Sequence, residues 1–285
     1  MFNIIEKRKI FFTIPAVIIL VGIICFIAFG GFNADIDFTG GTAMEIDLGQ
    51  AFDEKAIRDA INPIEGVTVS SVQSTGSESA MIKTTPIPQE KYEEVQNAVT
   101  EAFPDSEIIS RDSVSATIGK EMMSTFAKAV LVVVILMLIY IWFRFELLSG
   151  ISAILALCHD VLIVLSIYAI FQLPINTTFI AAILTVLGYS INATIVVFDR
   201  IRENSRLLRK ESFENVVNKS IWQTLSRSIN TSITTLITLL CLYILGVTSI
   251  RQFMIPLIVG VVCGAFSSVF LAGQFWVLFK AKKAK

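Results

Sequence analysis

The sequence predicts an α-helical polytopic membrane protein, with six transmembrane helices and a small extracytoplasmic α+β domain between helices 1 and 2. That domain has the ferredoxin-like order βαββαβ. Three observations carry the prediction. Of the 285 residues, 54% are hydrophobic and only 16% charged, and the mean hydropathy is +0.71; soluble domains run roughly 45–50% apolar and about 25% charged. Six apolar runs are each long enough to cross a hydrocarbon core of about 30 Å at a helical rise of about 1.5 Å per residue. Charge is also segregated. Segment 33–121 holds 17 acidic and six basic residues, whereas the rest of the chain holds 17 basic and seven acidic. Basic residues in this arrangement belong to loops beside membrane spans, so a nucleic-acid surface is not expected.

The first run, Ile10–Phe29, follows Lys7-Arg8-Lys9 and passes into Gly30-Gly31 with no small-x-small cleavage site. Residues 1–32 therefore read as a cytoplasmic N-terminus and an uncleaved helix 1, in which Pro15 introduces a tolerable kink. Residues 33–121 form the outer domain. Its expected elements are a strand at Thr42–Leu48, a helix at Asp53–Asn62, and strands at Val67–Gln73 and Ala80–Thr84 around the turn Ser74-Thr75-Gly76-Ser77. A helix at Pro88–Phe103 and a strand at Glu107–Val114 complete it. Alternation marks the strands, and Tyr92, Val95, Val99 and Phe103 mark one face of the second helix. This is the split βαβ order. The segment has no His, no Cys and no catalytic cluster, and its acids read as a solvated surface.

Residues 122–285 carry helices 2–6, at about 126–143, 147–171, 177–198, 225–245 and 253–279, with a charged, helical loop at 199–220 and a basic tail. Arg144-Phe145-Glu146 makes a tight charged turn between helices 2 and 3. Lys7, Arg8, Lys9, Arg144, Arg200, Arg202, Arg206, Arg209, Lys210, Lys219 and the tail lysines fall on one side, and only Arg251 lies in the two short opposite loops. The bias puts both termini in the cytoplasm and 33–121 outside. Cys25, Cys158, Cys241 and Cys263 all sit in apolar runs without metal-type spacing, so they read as small buried hydrophobes. No metal or other cofactor is expected.

Ionisable residues within spans are functional candidates. His159, the single histidine, and Asp160 lie about 20 Å along the third span. They suit either a polar pair that pins helix contacts or a proton or ion relay. In the fifth span Arg227, Thr231, Thr234 and Thr238 recur at helical spacing, with Thr224 extending the stripe backward. Snorkelling and interhelical hydrogen bonding explain such a stripe. So does a hydrated groove in which Arg227 pairs with a carboxylate, for which Asp160 is deep enough. In the fourth span Ser190 and Asn192 are neutral groups that would shape that groove, and Ala181, Thr185, Gly188 and Asn192 form a small-polar face leading to Asp199. The sixth span carries a packing ladder of Gly260, Gly264, Ser268 and Ala272.

Several of these residues stand in motifs. Asp37-Phe38-Thr39-Gly40-Gly41-Thr42 resembles the DFxGGT motif of SecD and SecF. His159-Asp160, the GYSIN run from Gly188, the run Asp199-Arg200-Ile201-Arg202-Glu203-Asn204, and Gln223-Thr224-Leu225 with Arg227 and Thr231-Ser232 together resemble the bacterial SecF family. The resemblance covers essentially the whole chain. It implies a subunit of the accessory Sec translocase, of the resistance-nodulation-division superfamily. Such a subunit pairs with SecD and assists export of a translocating polypeptide through SecYEG at the expense of the proton motive force. In the family the motif reads GYSIND, with an intramembrane aspartate implicated in proton conduction; here that position is Ala193. The relay then rests on a carboxylate of SecD facing Arg227, shifts to Asp160, or is altered in its ion. A small-molecule or lipid exporter half of the same superfamily and a non-conducting structural partner of SecD are the other readings. An enzyme is not expected, since neither a phosphate-binding loop nor a nucleophile–base set is present.

Overall fold

The computed structural model describes residues 3–75, 78–88, 90–144 and 146–283. Gly76 and Ser77 of the expected turn, Phe145 between helices 2 and 3, and Ala284 and Lys285 of the tail lie outside the described residues. The chain divides into two compact units, Ala34–Ala129 and Met1–Asn33 with Val130–Lys285.

In the first unit the chain enters through a single helical turn, α2 (Ile36–Thr39), capped by the Asp35 side chain. It continues as β1 (Gly41–Asp47), α3 (Glu54–Ile61), β2 (Val69–Ser74), β3 (Ser79–Thr84), α4 (Glu90–Ala102) and β4 (Glu107–Val114). The sheet is antiparallel in the order β2-β3-β1-β4, the split βαβ arrangement. Period-2 alternation sends Met44 and Ile46 of β1, Leu48 just after it, and Ala80 and Ile82 of β3 inward. There they meet Ile57 and Ile61 of α3 and Val95 and Val99 of α4. Two glycines make the entry turn possible. Gly40 has φ +74, and Gly41 has φ +152, where an added Cβ would come within 2.6 Å of the Thr84 carbonyl oxygen. Asp35 and Lys83 form a buried ion pair at 2.8 Å, which no local pattern in the sequence announces.

The second unit is helical. Six helices are long and apolar enough to cross a membrane: Arg8–Ala28, Thr117–Ile141, Leu147–Phe171, Thr177–Leu207, Phe213–Leu245 and Ile250–Lys282. They correspond to α1 (Arg8–Ala28), α5 (Ala116–Arg144), α6 (Leu147–Phe171), α7 (Thr177–Leu207), α8 (Phe213–Leu245) and the pair α9 (Thr248–Phe270) and α10 (Ala272–Lys283). The apolar run of helix 2 begins near Phe126, and α5 itself starts at Ala116, inside the segment assigned to the outer domain. Most of the 199–220 stretch, expected as a charged helical loop, is helix: α7 runs to Leu207 and α8 starts at Phe213. Arg200 and Glu203 pair at i,i+3, the spacing that supports a solvated helix. Where the lipid-compatible run ends, the helix does not.

The core of this unit joins Ala153, Ala156 and Val164 of α6, Val197, Phe198 and Ile201 of α7, Ile221 of α8 and Trp276 of α10. Close approach of α7 and α9 depends on the glycine ladder. An added Cβ at Gly260 would overlap the Val186 side chain, and one at Gly264 would lie 3.1 Å from Ser190 Cβ. Small residues do this in membranes because lipid supplies no hydrophobic force to press helices together. Before α1, Ile4 and Ile5 are buried. Asn218 of α8 accepts from the Ile4 N–H at 3.0 Å, and buried Gln274 of α10 donates to its carbonyl at 3.2 Å.

Candidate functional site: a buried carboxylate between three helices

Asp160 stands midway along α6 and is completely buried. Its carboxylate collects partners from three helices. Ser190 of α7 donates its hydroxyl to Oδ2, and Ser267 of α9 donates to the same oxygen at 2.8 Å. The other oxygen lies 2.9 Å from Nδ1 of His159. The His159 ring stacks against Phe266 at 6.2 Å between centroids, and its buried Nε2 has no hydrogen-bond partner among the described residues. Among the described residues no Lys or Arg pairs with this carboxylate; the titratable group in direct contact with it is the His159 ring.

The expected pairing of Asp160 with Arg227 is not formed. Arg227 is exposed on the outside of α8 and has no side-chain partner among the described residues. Thr231, Thr234 and Thr238 are exposed with it, and each hydroxyl bonds a carbonyl of its own helix, at 2.8, 2.9 and 3.2 Å respectively. Thr224, taken as the backward extension of that stripe, is buried. The expectation that Ser190 and Asn192 line one groove is also corrected. Two positions on a helix are about 200° apart, so Ser190 points in to Asp160 while Asn192 is exposed with Gly188 and Thr185. An outward polar surface on α7 and α8 and an inward carboxylate cluster are thus separate features. Tyr189 bridges the two helices through a 3.0 Å hydrogen bond to Ser232.

The remaining motif residues stand apart from the Asp160 cluster. Asp37 is half-buried in the first turn of α2. Asp199 accepts two hydrogen bonds from Arg144. Arg200 donates from Nε to Gln223 at 2.6 Å, and Gln223 also accepts from Asn204 at 2.7 Å, which closes the charged ends of α7 and α8. Ser267 was not expected at the site: it stands one position off the Gly260, Gly264, Ser268 and Ala272 ladder, and its only signal was the family resemblance of the Ser267-Ser268 pair.

The family described as protein export membrane protein SecD/SecF, C-terminal, matches residues 94–282. The SecF protein translocase subunit of Alicyclobacillus acidocaldarius is 37% identical over 100% of this chain and 94% of its own. That of Acidaminococcus fermentans is 38% identical over 99% and 98%. The crystal structure of SecDF, a translocon-associated membrane protein from Thermus thermophilus, superposes with a TM-score of 0.90 at 33% identity, covering 98% of this chain and 39% of that one. The chain belongs to the SecD/SecF family of protein export membrane proteins, as a SecF-type member.

Proposed function

We propose that this chain is the SecF-type half of a SecD–SecF complex that assists polypeptide export through SecYEG and draws on the proton motive force. Its termini lie in the cytoplasm and residues 33–121 outside, as the distribution of basic residues favours. The observation that carries the reading is the exposed polar face of α7 and α8. Within a membrane span, Arg227, Asn192 and the threonines are costly against lipid, and a second set of helices bearing a carboxylate opposite Arg227 would cover them. SecDF relatives support this, since the SecF-like part makes up only 35% of the Thermus thermophilus chain and 38% of the Bacillus subtilis one. Asp160 with His159 is the proton-carrying pair within this subunit. One charge crossing about 100 mV releases about 2.3 kcal/mol, enough to bias a two-state movement by nearly two orders of magnitude.

The test is export of a slow substrate in cells lacking their own homologue, with Asp160→Asn and Arg227→Ala. Both should slow export, and unchanged export in both variants would refute the coupling role. Purification in mild detergent should recover SecD and SecYEG partners, and Arg227→Glu should reduce recovery of SecD. Ala193, where the family carries its aspartate, favours a second reading in which the subunit stabilises SecD without conducting. Proton flux through the reconstituted pair that is insensitive to Asp160→Asn and Arg227→Ala would support that one.

A further inference from the structure

At Asp160, side-chain hydrogen bonds tie α6, α7 and α9 to a single group, and the two serine hydroxyls share one oxygen. We propose that Ser190 and Ser267 are positioning residues that convert the charge state of Asp160 into the spacing of α7 against α9. As a carboxylate, Oδ2 accepts from both helices at once and draws them together. A proton from the aqueous phase, added to that oxygen, forms an O–H bond and turns an acceptor into a donor. The new O–H donates to one serine, and the other serine loses its acceptor. Ser267 has a substitute within reach, the Gly264 carbonyl oxygen at 3.3 Å. It is therefore the α9 end that lets go.

The packing around the tie suits this movement. Gly264 lies directly against Ser190, where an added Cβ would stand 3.1 Å from Ser190 Cβ, so no side chain of α9 interlocks with α7 at this point. The groups that titrate near Asp160 are few. On its own helix there is His159, at 2.9 Å. From α9 there is buried Cys263, which interacts with it electrostatically. From α7 the facing groups are Ser190 and, one turn on, buried Thr194. From α1 and α10, which also pack on α6, no charged side chain reaches Asp160 among the described residues. The Thr194 hydroxyl is buried without a partner among the described residues, a polar atom that a shifted α9 or a water entering with the proton would satisfy.

This deepens the coupling reading above and rests on it only for the use made of the movement. The test is made on the full chain in liposomes, cysteine-free apart from spin labels placed through Ala181→Cys on α7 and Val262→Cys on α9, both exposed positions. The label distance should lengthen as pH falls, through a single-proton transition. Asp160→Asn should hold the long distance at every pH. Ser267→Ala, which removes the α9 end of the tie, should likewise hold the long distance at every pH, while Ser267→Thr should restore the pH-dependent change. A distance that ignores pH, or a transition that survives Asp160→Asn or Ser267→Ala, would each overturn the proposal. If the spacing responds but export is indifferent to Asp160→Asn, the coupling reading fails and the tie stands.

Discussion

Arg144 grips Asp199 with two hydrogen bonds from one guanidinium nitrogen, 2.9 and 2.7 Å long, and so fastens the end of α5 to α7 across 55 positions of sequence. Both side chains are about two-fifths exposed, so water screens the pair and its worth is about 0.5–1 kcal/mol. Asp199→Asn and Arg144→Gln should each lower the melting temperature of the full chain by about 1–4 °C, and the double variant should cost little more than either. A strictly additive double variant would show that the two residues act separately.

Glycines on opposite faces should behave oppositely. Gly264→Leu drives a side chain into Ser190 and should cost about 1–3 kcal/mol, read as a clear fall in thermal stability. Gly188 has nothing within 4 Å of an added Cβ, so Gly188→Leu should leave the isolated subunit unchanged. If the α7 face docks a partner, the same change should reduce SecD recovery. A stability loss from Gly188→Leu would place that face inside the subunit's own packing.

The buried Asp35–Lys83 pair should be sensitive to removal of one charge. Asp35→Asn preserves the capping oxygen for the Ile36 N–H yet leaves Lys83 unpaired, at a cost of about 3–5 kcal/mol. Replacing both, by Asp35→Asn with Lys83→Met, should recover much of that. Amide exchange of β1 and β3 is the measurement, and equal protection in the single and double variants would count against the pairing energy.

Tyr92 gives a pH signature for the same domain. Burial pushes its phenol up, but hydrogen bonds with Ser113 and Thr42, together with the Arg111 guanidinium 4.2 Å over its ring, leave it below the ordinary value. The unfolded chain then binds more protons than the folded one across that interval. The stabilisation is present at alkaline pH and is lost as pH falls through the folded value. The tyrosinate absorbance that disappears in Tyr92→Phe should appear at higher pH in Arg111→Gln, and an unmoved titration would rule out the charge effect.

Six apolar runs and a βαββαβ order were legible because span length and the periods of 2 and 3.6 residues are local properties. Helix ends were less so. Hydropathy marks where lipid stops, and α7 continues for nine residues past Phe198 because i,i+3 charges support a helix in water. The threonine stripe of α8 was assigned to one face, but the side it faces was not. In lipid a protein's interior and exterior are equally apolar, so periodicity identifies a face without its direction. Asp160 was found by its cost alone. Its partners Ser190 and Ser267 stand 30 and 107 positions away; Ser190 was read as a groove-lining group without its tie to Asp160, and Ser267 carried no pattern that pointed to it.

The length of α7 has a mechanical consequence. Its 31 residues extend about 46 Å, whereas the hydrocarbon core takes up about 30 Å. Ser190, at the Asp160 cluster, is a fulcrum from which about 25 Å of rigid rod leads to Leu207. A tilt of about 10° at the fulcrum sweeps the far end through about 4 Å, carrying Asp199, Arg200 and the attached ends of α5 and α8 with it. A displacement no larger than one hydrogen bond is thereby magnified into a stroke that a neighbouring protein could feel.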